Sequence, residues 1–272
     1  MSEVCRLLGV SRSEYYYDRA AEEREENEEE QAIIHCFEKH KGNYGRIRIR
    51  KELLREGTKV SEYRIARILK KHGKTAKSGR TGRKRTPKPT EKQYLEANLI
   101  KDKFEVTEPN YLWCSDITEL RCKGSKVYVC GIIDVATRRI VGWSIGKTQT
   151  QHLVQDALKM AAGRNPKRPL EAIYHSDRGC QYTAKKTKQM VEQYGFRKSM
   201  SRPGTPSDNQ PIESFWKTLE CEMSDIRHLT FKEASRQIVE YIELYYNSVR
   251  LHSGIQYLIP NEFFTLLTVR KT

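Results

Sequence analysis

Three acidic residues in the second half of the chain constrain its fold more than any other feature. Asp116 lies in the middle of the strand-like run YLWCSDITEL, where aspartate is otherwise disfavoured. Asp177 follows the apolar run AIY and so marks the end of another strand. Glu213 opens the helix-like run IESFWKTLE, with Asp208 or Asn209 as its predicted cap. The fold must therefore present carboxylates on a strand middle, a strand end and a helix start.

Carboxylates on separate rigid elements are suited to binding hard metal ions. Mg²⁺ prefers oxygen ligands, and two such ions can activate a nucleophile, stabilise a leaving oxygen and neutralise phosphate charge. We therefore predict that Asp116, Asp177 and Glu213 converge to hold two divalent ions for phosphodiester chemistry. No side chain need act as nucleophile in such a site, so a Ser-His-Asp set is not required.

The spacing of these acids and the residues around them resemble a known family. HSDRGCQYT, then 35 residues between Asp177 and Glu213, with SDNQPIES at the end, are similar to the DDE integrase and transposase core. NYLWCSDIT resembles the first-aspartate strand of the insertion sequence 3 family, and IIDVATRRIVGWSI resembles its following hairpin. YYNSVRLHSGIQYLIPNEF resembles its C-terminal signature, which aligns Asn247, Arg250, His252 and Pro260. The resemblance covers about residues 40–265 and is to the second-frame, OrfB-type part of these bacterial transposases.

The resemblance implies a DDE transposase that cleaves DNA at the ends of an insertion sequence and joins strands through a 3′-OH. The first joining would link one element end to the other and give a circular intermediate that later integrates. The implied cofactor is Mg²⁺, as two ions, with Mn²⁺ as a substitute. The implied partners are double-stranded DNA, as terminal inverted repeats and target, and further copies of the chain, since holding two ends requires at least a dimer.

The family also has implications for the context in which the chain works. Its members are usually made by frameshift fusion to a small upstream product that carries a helix-turn-helix and a zipper. We therefore expect this chain to act either as one portion of such a fusion or together with the upstream product. The expected location is the bacterial cytoplasm, on the nucleoid.

The composition is strongly basic. The chain has 272 residues, with 50 Lys and Arg against 35 Asp and Glu, and a formal net charge of +15. No apolar run approaches the roughly 18 residues of a membrane helix, and no secretory signal is visible. Seven scattered cysteines form no CxxC pair and are expected to be reduced. Whether the positive charge serves solubility or polyphosphate binding depends on where it lies along the chain.

Residues 1–40 are predicted to form N-terminal helices. MSEVCRLLGVSRSEYYY is consistent both with part of a helix-turn-helix and with plain amphipathic helices, and the sequence leaves the two open. Residues 20–40 are predicted to form a helix whose acidic first half suits the helix dipole. We expect that acidic face to be solvated.

Residues 41–73 are predicted to form a DNA-binding helix-turn-helix. RIRIRKELLRE is the first helix and SEYRIARILKKH the second, with Ser61 as the cap of the second helix and Gly73 at its end. The second helix has a predicted core face of Ile65, Ile68 and Leu69. Its predicted outer face, suited to a DNA major groove, consists of Arg64, Arg67, Lys70 and Lys71. The alternative is a basic helix that merely faces solvent.

Residues 74–104 are predicted to be a basic flexible linker. Between residues 64 and 92 twelve Lys or Arg stand against one acid, Glu91, and Gly and Pro are scattered through the second part. Such a segment cannot bury itself. We expect it to follow a phosphate backbone or groove, with Arg83, Lys84 and Arg85 in contact. A plain tether is the alternative.

Residues 105–272 are predicted to form an α/β catalytic domain that ends in a C-terminal helix. The strand-like runs lie at 111–120, 126–134 and 138–145, and a helix follows at 151–163. The strand LEAIYHS, a helix at about 183–194, the strand FRKSM and the Glu213 helix come next. This order predicts a ribonuclease-H-like integrase core with a mixed five-stranded sheet and flanking helices. A small all-α helix-turn-helix region and the basic linker precede it.

Several residues near the three acids are predicted to contact DNA. Arg178, Gln181 and Tyr182 lie beyond the end of the second acid's strand, and Lys217 lies one helical turn after Glu213. Arg250 and His252 of the C-terminal signature are assigned to the same role by the resemblance. The segment 202–211, rich in Gly, Pro and Ser, is predicted to be a mobile loop that orders over DNA.

Three further residues near the acids are predicted to be structural. We interpret His175 as support for the site, Trp216 as a core residue rather than a base-stacking one, and Asp134 as a turn residue.

Two other functions stay open from the sequence. A DNA-binding repressor would explain the charge and the helix-turn-helix but would leave three spaced acids unused. A ribonuclease H that acts on hybrids would share the core but would not need the basic N-terminal region. Metal-dependent joining of 3′ ends distinguishes the three functions, because only a transposase should join.

Overall fold

The structure, a computed structural model, describes residues 27–77, 98–100, 104–202 and 206–269, together with residues 9 and 11. The chain divides into two compact units, Met1–Ser78 and Gly79–Thr272. Most of the predicted N-terminal helices before residue 27 and of the predicted linker, at 78–97 and 101–103, lie outside the described residues. Among the helices that the structure describes, none combines the length and apolar character needed to cross a bilayer.

Within residues 27–77, the described part of the first unit, there are three helices, which we number α1 (27–39), α2 (Arg46–Arg55) and α3 (Glu62–Lys71). Ser61 caps α3 as predicted, because its hydroxyl accepts a hydrogen bond from the backbone N–H of Arg64 at 3.2 Å. Gly73 adopts φ +62° just beyond the helix, a conformation that glycine reaches without strain. The predicted core face of α3 is confirmed, and the buried core of this unit includes Ile33, Phe37, Ile49, Leu53, Ile65, Ile68 and Leu69.

The second unit is built on one five-stranded sheet. Its strands are β1 (Leu112–Cys122), β2 (Ser125–Asp134), β3 (Ile140–Gly146), β4 (Ile173–Ser176) and β5 (Arg197–Met200). The order across the sheet is β3-β2-β1-β4-β5. The first three strands pair antiparallel, whereas β4 pairs parallel to both β1 and β5. The predicted mixed sheet is confirmed, and its central strand is the one that carries Asp116.

Helices pack on both faces of the sheet. They are α4 (Gln151–Arg164), α5 (Lys185–Gln193), α6 (Gln210–Glu222) and α7 (Phe231–Glu240). A further helix, α8 (Pro260–Val269), follows them in the chain. One apolar cluster joins the sheet to α6 and α7, and a second joins it to α4 and α5. Strand β1 contributes to both clusters, because alternate side chains of a strand point to opposite faces. Leu112 and Cys114 belong to the first cluster, and Trp113 belongs to the second.

The segment before α6 contains a short helical turn that the sequence did not predict. A 3₁₀ turn at Pro206–Asn209 occupies part of the expected loop, and residues 203–205 lie outside the described residues. Asp208 is buried and accepts hydrogen bonds from Arg202 Nη2 at 2.7 Å and Nε at 3.0 Å. Asn209 is the N-cap of α6, but its side chain makes no capping hydrogen bond. Both residues predicted as caps therefore use their side chains elsewhere.

Candidate active site

Asp116 lies in β1, and Asp177 directly follows β4, the strand that pairs with β1. The two residues stand at equivalent positions along these neighbouring strands. Ser115 of β1 pairs with Ser176 of β4 in parallel register, and Ser176 is the last residue of β4. The next residue along each strand is an acid. Because paired strands lie about 4.8 Å apart, the register brings Asp116 and Asp177 side by side at the end of the parallel pairing.

Glu213 reaches the same region on the first turn of α6. Two hydrogen bonds join this helix to β1, one on each side of Glu213 in the sequence. The amide Nδ2 of Asn209 donates to the carbonyl oxygen of Ser115 at 2.9 Å. The indole Nε1 of Trp216 donates to Oδ2 of Asp116 at 3.1 Å. The helix that carries the third acid is therefore attached directly to the first acid and its neighbour.

The three carboxylates interact electrostatically. The pKa of Asp116 is raised to about 7, first by burial and then by the negative charges of Asp177 and Glu213, against the opposing hydrogen bonds from Ile117 and Trp216. Burial likewise raises the pKa of Glu213, which Lys217 lowers and Asp177 raises. Acids that oppose one another's ionisation form a site that a cation would stabilise.

The carboxylates have the chemistry required for a metal site, although their oxygen atoms do not all face one common position. Asp116 accepts from Trp216, and Oδ1 of Asp177 accepts from the backbone N–H of Gly179 at 3.0 Å. In the described ranges, no three His, Cys, Asp or Glu side chains are gathered tightly enough to hold an ion as they stand. Oxygen donors that repel one another fit Mg²⁺. Asp116, Asp177 and Glu213 are the residues that could hold the ion.

Two residues interpreted as structural have that role. His175 is buried, with Nδ1 2.8 Å from Ser199 Oγ and Nε2 3.0 Å from Ser201 Oγ. Burial lowers the pKa of His175 to about 4, so the imidazole is neutral near pH 7. Asp134 is buried at the turn after β2, where it accepts from the hydroxyl and the backbone N–H of Thr137.

Two predicted DNA contacts in the second unit are wrong. Tyr182 is 1% exposed, since the helical turn Cys180–Thr183 directs its ring into the core, where its hydroxyl lies 3.1 Å from Ser115 Oγ. Arg250 is 4% exposed and pairs with Glu222 inside the protein. A buried tyrosine or arginine with its polar groups already bonded has no free surface for a nucleic acid.

The other predicted contacts of this unit have varied surroundings. Lys217 is exposed beside Glu213, as its spacing predicted. Arg178 donates through Nε to the carbonyl of Ser201 at 2.9 Å, and Gln181 donates to the carbonyl of residue 149 at 3.1 Å. His252 Nδ1 accepts from the N–H of residue 254, so it stabilises a turn. DNA contact by Arg178, Gln181, Lys217 and His252 stays a prediction.

The basic helix α3 of the first unit is partly neutralised by α1. Arg64 Nε lies 2.7 Å from Glu29 Oε2, and Lys71 Nζ lies 2.8 Å from Glu30 Oε1. The expectation of a solvated acidic face is therefore wrong for Glu29 and Glu30, because both pair with the neighbouring basic helix. The acids before residue 27 lie outside the described residues. Arg67 and Lys70 are exposed. The predicted contacts Arg83, Lys84 and Arg85 lie outside the described residues.

Sequence reasoning missed the residues that join the site together. Trp216 is a core residue, as predicted, but its contact with Asp116 was not foreseen. Its position three residues after Glu213, on an adjacent face of the helix, was the available signal. The role of Asn209 was missed because its place before α6 suggested a cap. Ser115 gave no signal beyond its position next to Asp116.

The family models match both units. An HTH-like domain matches residues 23–82, and integrase core domains match residues 106–206 and 194–260. The chain is 38% identical over 242 residues to the transposase for insertion sequence element IS904 of Lactococcus lactis, covering 89% of this chain and 94% of the relative. It is 33% identical over 269 residues to the transposase InsF for insertion sequence IS3A of Escherichia coli K12, covering 96% and 92%. A 31 kDa protein of insertion element IS600 of Shigella sonnei is 37% identical over 269 residues, covering 96% and 97%.

Solved retroviral integrases show weaker similarity. The catalytic core domain of BIV integrase has a TM-score of 0.41 and 16% identity, covering 60% of this chain and 98% of that one. The HTLV-2 integrase catalytic core in complex with magnesium has a TM-score of 0.40 and 16% identity, covering 57% and 96%. Values this low add nothing to the observed topology.

The sheet order, the flanking helices and the domain matches define a protein with a ribonuclease-H-like integrase core preceded by an HTH-like domain. The identity to curated transposases over nearly the whole chain is more specific. The chain belongs to the insertion sequence 3 family of transposases.

Proposed function

We propose that this chain is a DDE transposase that cuts and joins DNA strands at insertion-sequence ends with Asp116, Asp177 and Glu213. The observation that carries the proposal is the placement of these acids. Two lie side by side at the end of the β1–β4 pairing, and the third lies on a helix that is hydrogen-bonded to the first. Membership of a transposase family supports transposition as the process that this chemistry serves.

The three carboxylates would hold two Mg²⁺ ions, with Mn²⁺ as a substitute. Such ions supply charge neutralisation at the reacting phosphate and activation of the attacking oxygen. The chain itself supplies oxygen donors on rigid elements, and the exposed ammonium of Lys217 is placed to bind a phosphate next to Glu213. Asp116 must give up its proton for an ion to bind, so ion binding and deprotonation are coupled.

Two displacements at phosphorus account for the reaction. Water attacks the phosphodiester at the element's end, and the bond to the departing 3′ oxygen breaks to leave a free 3′-OH. That 3′-OH then attacks a second phosphodiester, forms a new P–O bond and displaces the 3′ oxygen there. When the second phosphodiester is at the other end of the same element, the product is the circular intermediate.

Transposition requires two element ends at once, and this sets the proposed partners. We assign double-stranded DNA, as terminal repeats and as target, and at least a second copy of the chain to hold the other end. In the first unit, Arg67 and Lys70 are exposed on α3 and suited to phosphate contact. An upstream helix-turn-helix product, fused or separate, would add further contacts.

The test is strand joining by acid variants on oligonucleotides that carry the terminal repeats. Asp116→Asn, Asp177→Asn and Glu213→Gln should each keep DNA binding and lose Mg²⁺-dependent cleavage and joining. Glu220→Gln is the matched control, because Glu220 is exposed on the same helix α6 as Glu213.

Each result of that assay separates one function from another. Joining by all three acid variants would show that the site is assigned wrongly. Binding without cleavage by the wild type would favour a repressor. Cleavage of RNA in hybrids without joining of DNA would favour a ribonuclease H.

A further inference from the structure

Ser115, the residue before Asp116, contacts segments that flank the other two acids. Its hydroxyl lies 3.1 Å from the hydroxyl of Tyr182, which belongs to the helical turn directly after the Asp177 loop. Its carbonyl accepts from Asn209, which precedes the Glu213 helix, at 2.9 Å. All three side chains are buried, at 0%, 1% and 3% exposed. The neighbour of Asp116 thus connects the three parts of the site.

Trp216 connects α6 to Asp116, and a glycine of β2 leaves space for its indole ring. Gly131 is the register partner of Asp116 across the β1–β2 pairing. A Cβ atom added at Gly131 would lie 2.7 Å from the Trp216 ring, so only glycine leaves room for the indole there. The indole packs over that glycine and reaches Asp116 with its N–H. A rigid ring placed in this way restricts the orientation of the Asp116 carboxylate.

We propose that Tyr182, Asn209 and Trp216 are positioning residues that set the three carboxylates for metal binding through their hydrogen bonds to Ser115 and Asp116. The inference rests on the proposed function, since it concerns how the same site is held. Groups that orient metal ligands in this way typically change metal affinity by about 10- to 100-fold when removed.

Stability alone is a poor explanation for Asn209. Its Oδ1 is buried and makes no hydrogen bond to any residue that the structure describes. A buried acceptor without a partner is destabilising, so an amide here is not the most stabilising choice. Its use in holding α6 to Ser115 accounts for the residue better.

The chain offers a matched control for each of the three side chains. Trp143 donates from Nε1 to Glu243 at 2.6 Å, as Trp216 does to Asp116. Tyr241 donates to Glu222 at 3.0 Å in a second buried tyrosine bond. Asn247 bonds both backbone groups of Ile140 at 2.9 Å. The site set is Trp216→Phe, Tyr182→Phe and Asn209→Ala, and the control set is Trp143→Phe, Tyr241→Phe and Asn247→Ala.

The experiment measures metal binding by the full chain in two ways. Mn²⁺ binding is followed by electron paramagnetic resonance, and strand joining is followed as a function of Mg²⁺ concentration. The site variants should need about 10- to 100-fold more metal in both measurements. The control variants should bind metal like the wild type at a temperature where all six are folded, even where their thermal unfolding midpoints fall.

The outcomes separate this inference from the function on which it rests. Metal binding that falls equally in the site and control sets, or in neither, would overturn the positioning role. Asp116→Asn is included as the reference for the function itself. If that variant still joins strands, the proposed function fails; if it is inactive while the site set binds metal normally, only the positioning inference fails.

Discussion

Arg250 and Glu222 form a bidentate ion pair inside the second unit. Arg250 Nη2 lies 2.6 Å from Oε1 of Glu222, and Nε lies 2.7 Å from Oε2, with side chains 5% and 6% exposed. Tyr241 donates to the same carboxylate at 3.0 Å. Glu222 is the last residue of α6, the helix whose first turn carries Glu213. The arginine of the C-terminal signature therefore holds the end of α6 opposite to Glu213.

Arg250→Ala should lower the free energy of unfolding of the second unit. The substitution leaves a buried carboxylate without its counter-ion, and breaking such a pair costs about 3–5 kcal/mol. Chemical denaturation followed by circular dichroism gives the free energy of unfolding. Arg227→Ala is the control, because Arg227 pairs with Asp225 at the surface, where its side chain is 76% exposed. Equal losses in the two variants would contradict the structural role of Arg250.

Gly142→Ala should also destabilise this unit, through the packing of α4 on β3. A Cβ atom at Gly142 would collide with the backbone oxygen of Ala157 and lie 2.6 Å from Cβ of Ala161. Overpacking of this kind costs about 1–3 kcal/mol, and more where backbone must move. Gly163→Ala on the same helix meets open space, so it should be neutral or stabilise by up to about 1 kcal/mol. Thermal unfolding midpoints that shift in the same direction would refute this account.

Glu29→Gln with Glu30→Gln should strengthen DNA binding by the full chain. The two carboxylates pair with Arg64 and Lys71 on α3, so neutralising them makes the charge beside this basic helix more positive by two. Affinity for duplex DNA should rise, and the slope of log K against log salt should steepen by up to about two. Fluorescence anisotropy over a salt series measures both. Asn27→Gln, on the same helix, should leave the slope unchanged, and an unchanged slope in the double variant would contradict the prediction.

The sheet and its helices were largely predictable because they follow from local patterns. The β1–β3 hairpins, the helix at Gln151–Arg164 and the strand before Asp177 depend on hydrophobic periodicity and turn residues. The cap at Ser61 depends on one residue type at one position. The three acids were singled out because each stands where its residue type is unusual or well placed for chemistry, and their metal-binding role stays a proposal.

The contacts between distant segments were not predictable from the sequence. Tyr182 comes shortly after the end of a strand, a position that suggests an exposed side chain. Only the turn at Cys180–Thr183 shows that the ring points inward. Arg250 has no nearby acid in the sequence, since its partner Glu222 lies 28 residues before it. The pairing of α1 with α3 likewise depends on tertiary packing, which a charge pattern along one helix does not contain.

The last prediction concerns the pH dependence of stability without metal. The folded pKa of Asp116 is raised to about 7, mainly by burial and then by Asp177, whereas an unfolded aspartate titrates near about 3.9. The folded protein therefore binds this proton more tightly. Between about pH 4 and pH 7 the contribution of Asp116 to stability falls as the pH rises. Asp116→Asn removes this titration, so it should be more stable than the wild type at pH 8 and lose that advantage near pH 4.

Thermal unfolding with and without Mg²⁺ measures this difference. Comparison with the wild type cancels the titration of other buried groups, such as His175, whose lowered pKa acts in the opposite direction. Mg²⁺ should stabilise the wild type above pH 7 and should stabilise Asp116→Asn much less. Asp156→Asn, at an exposed position on α4, should follow the wild type in every condition. If the stability of Asp116→Asn ran parallel to that of the wild type from pH 4 to pH 8, the surroundings of this carboxyl group would not disfavour its ionised form.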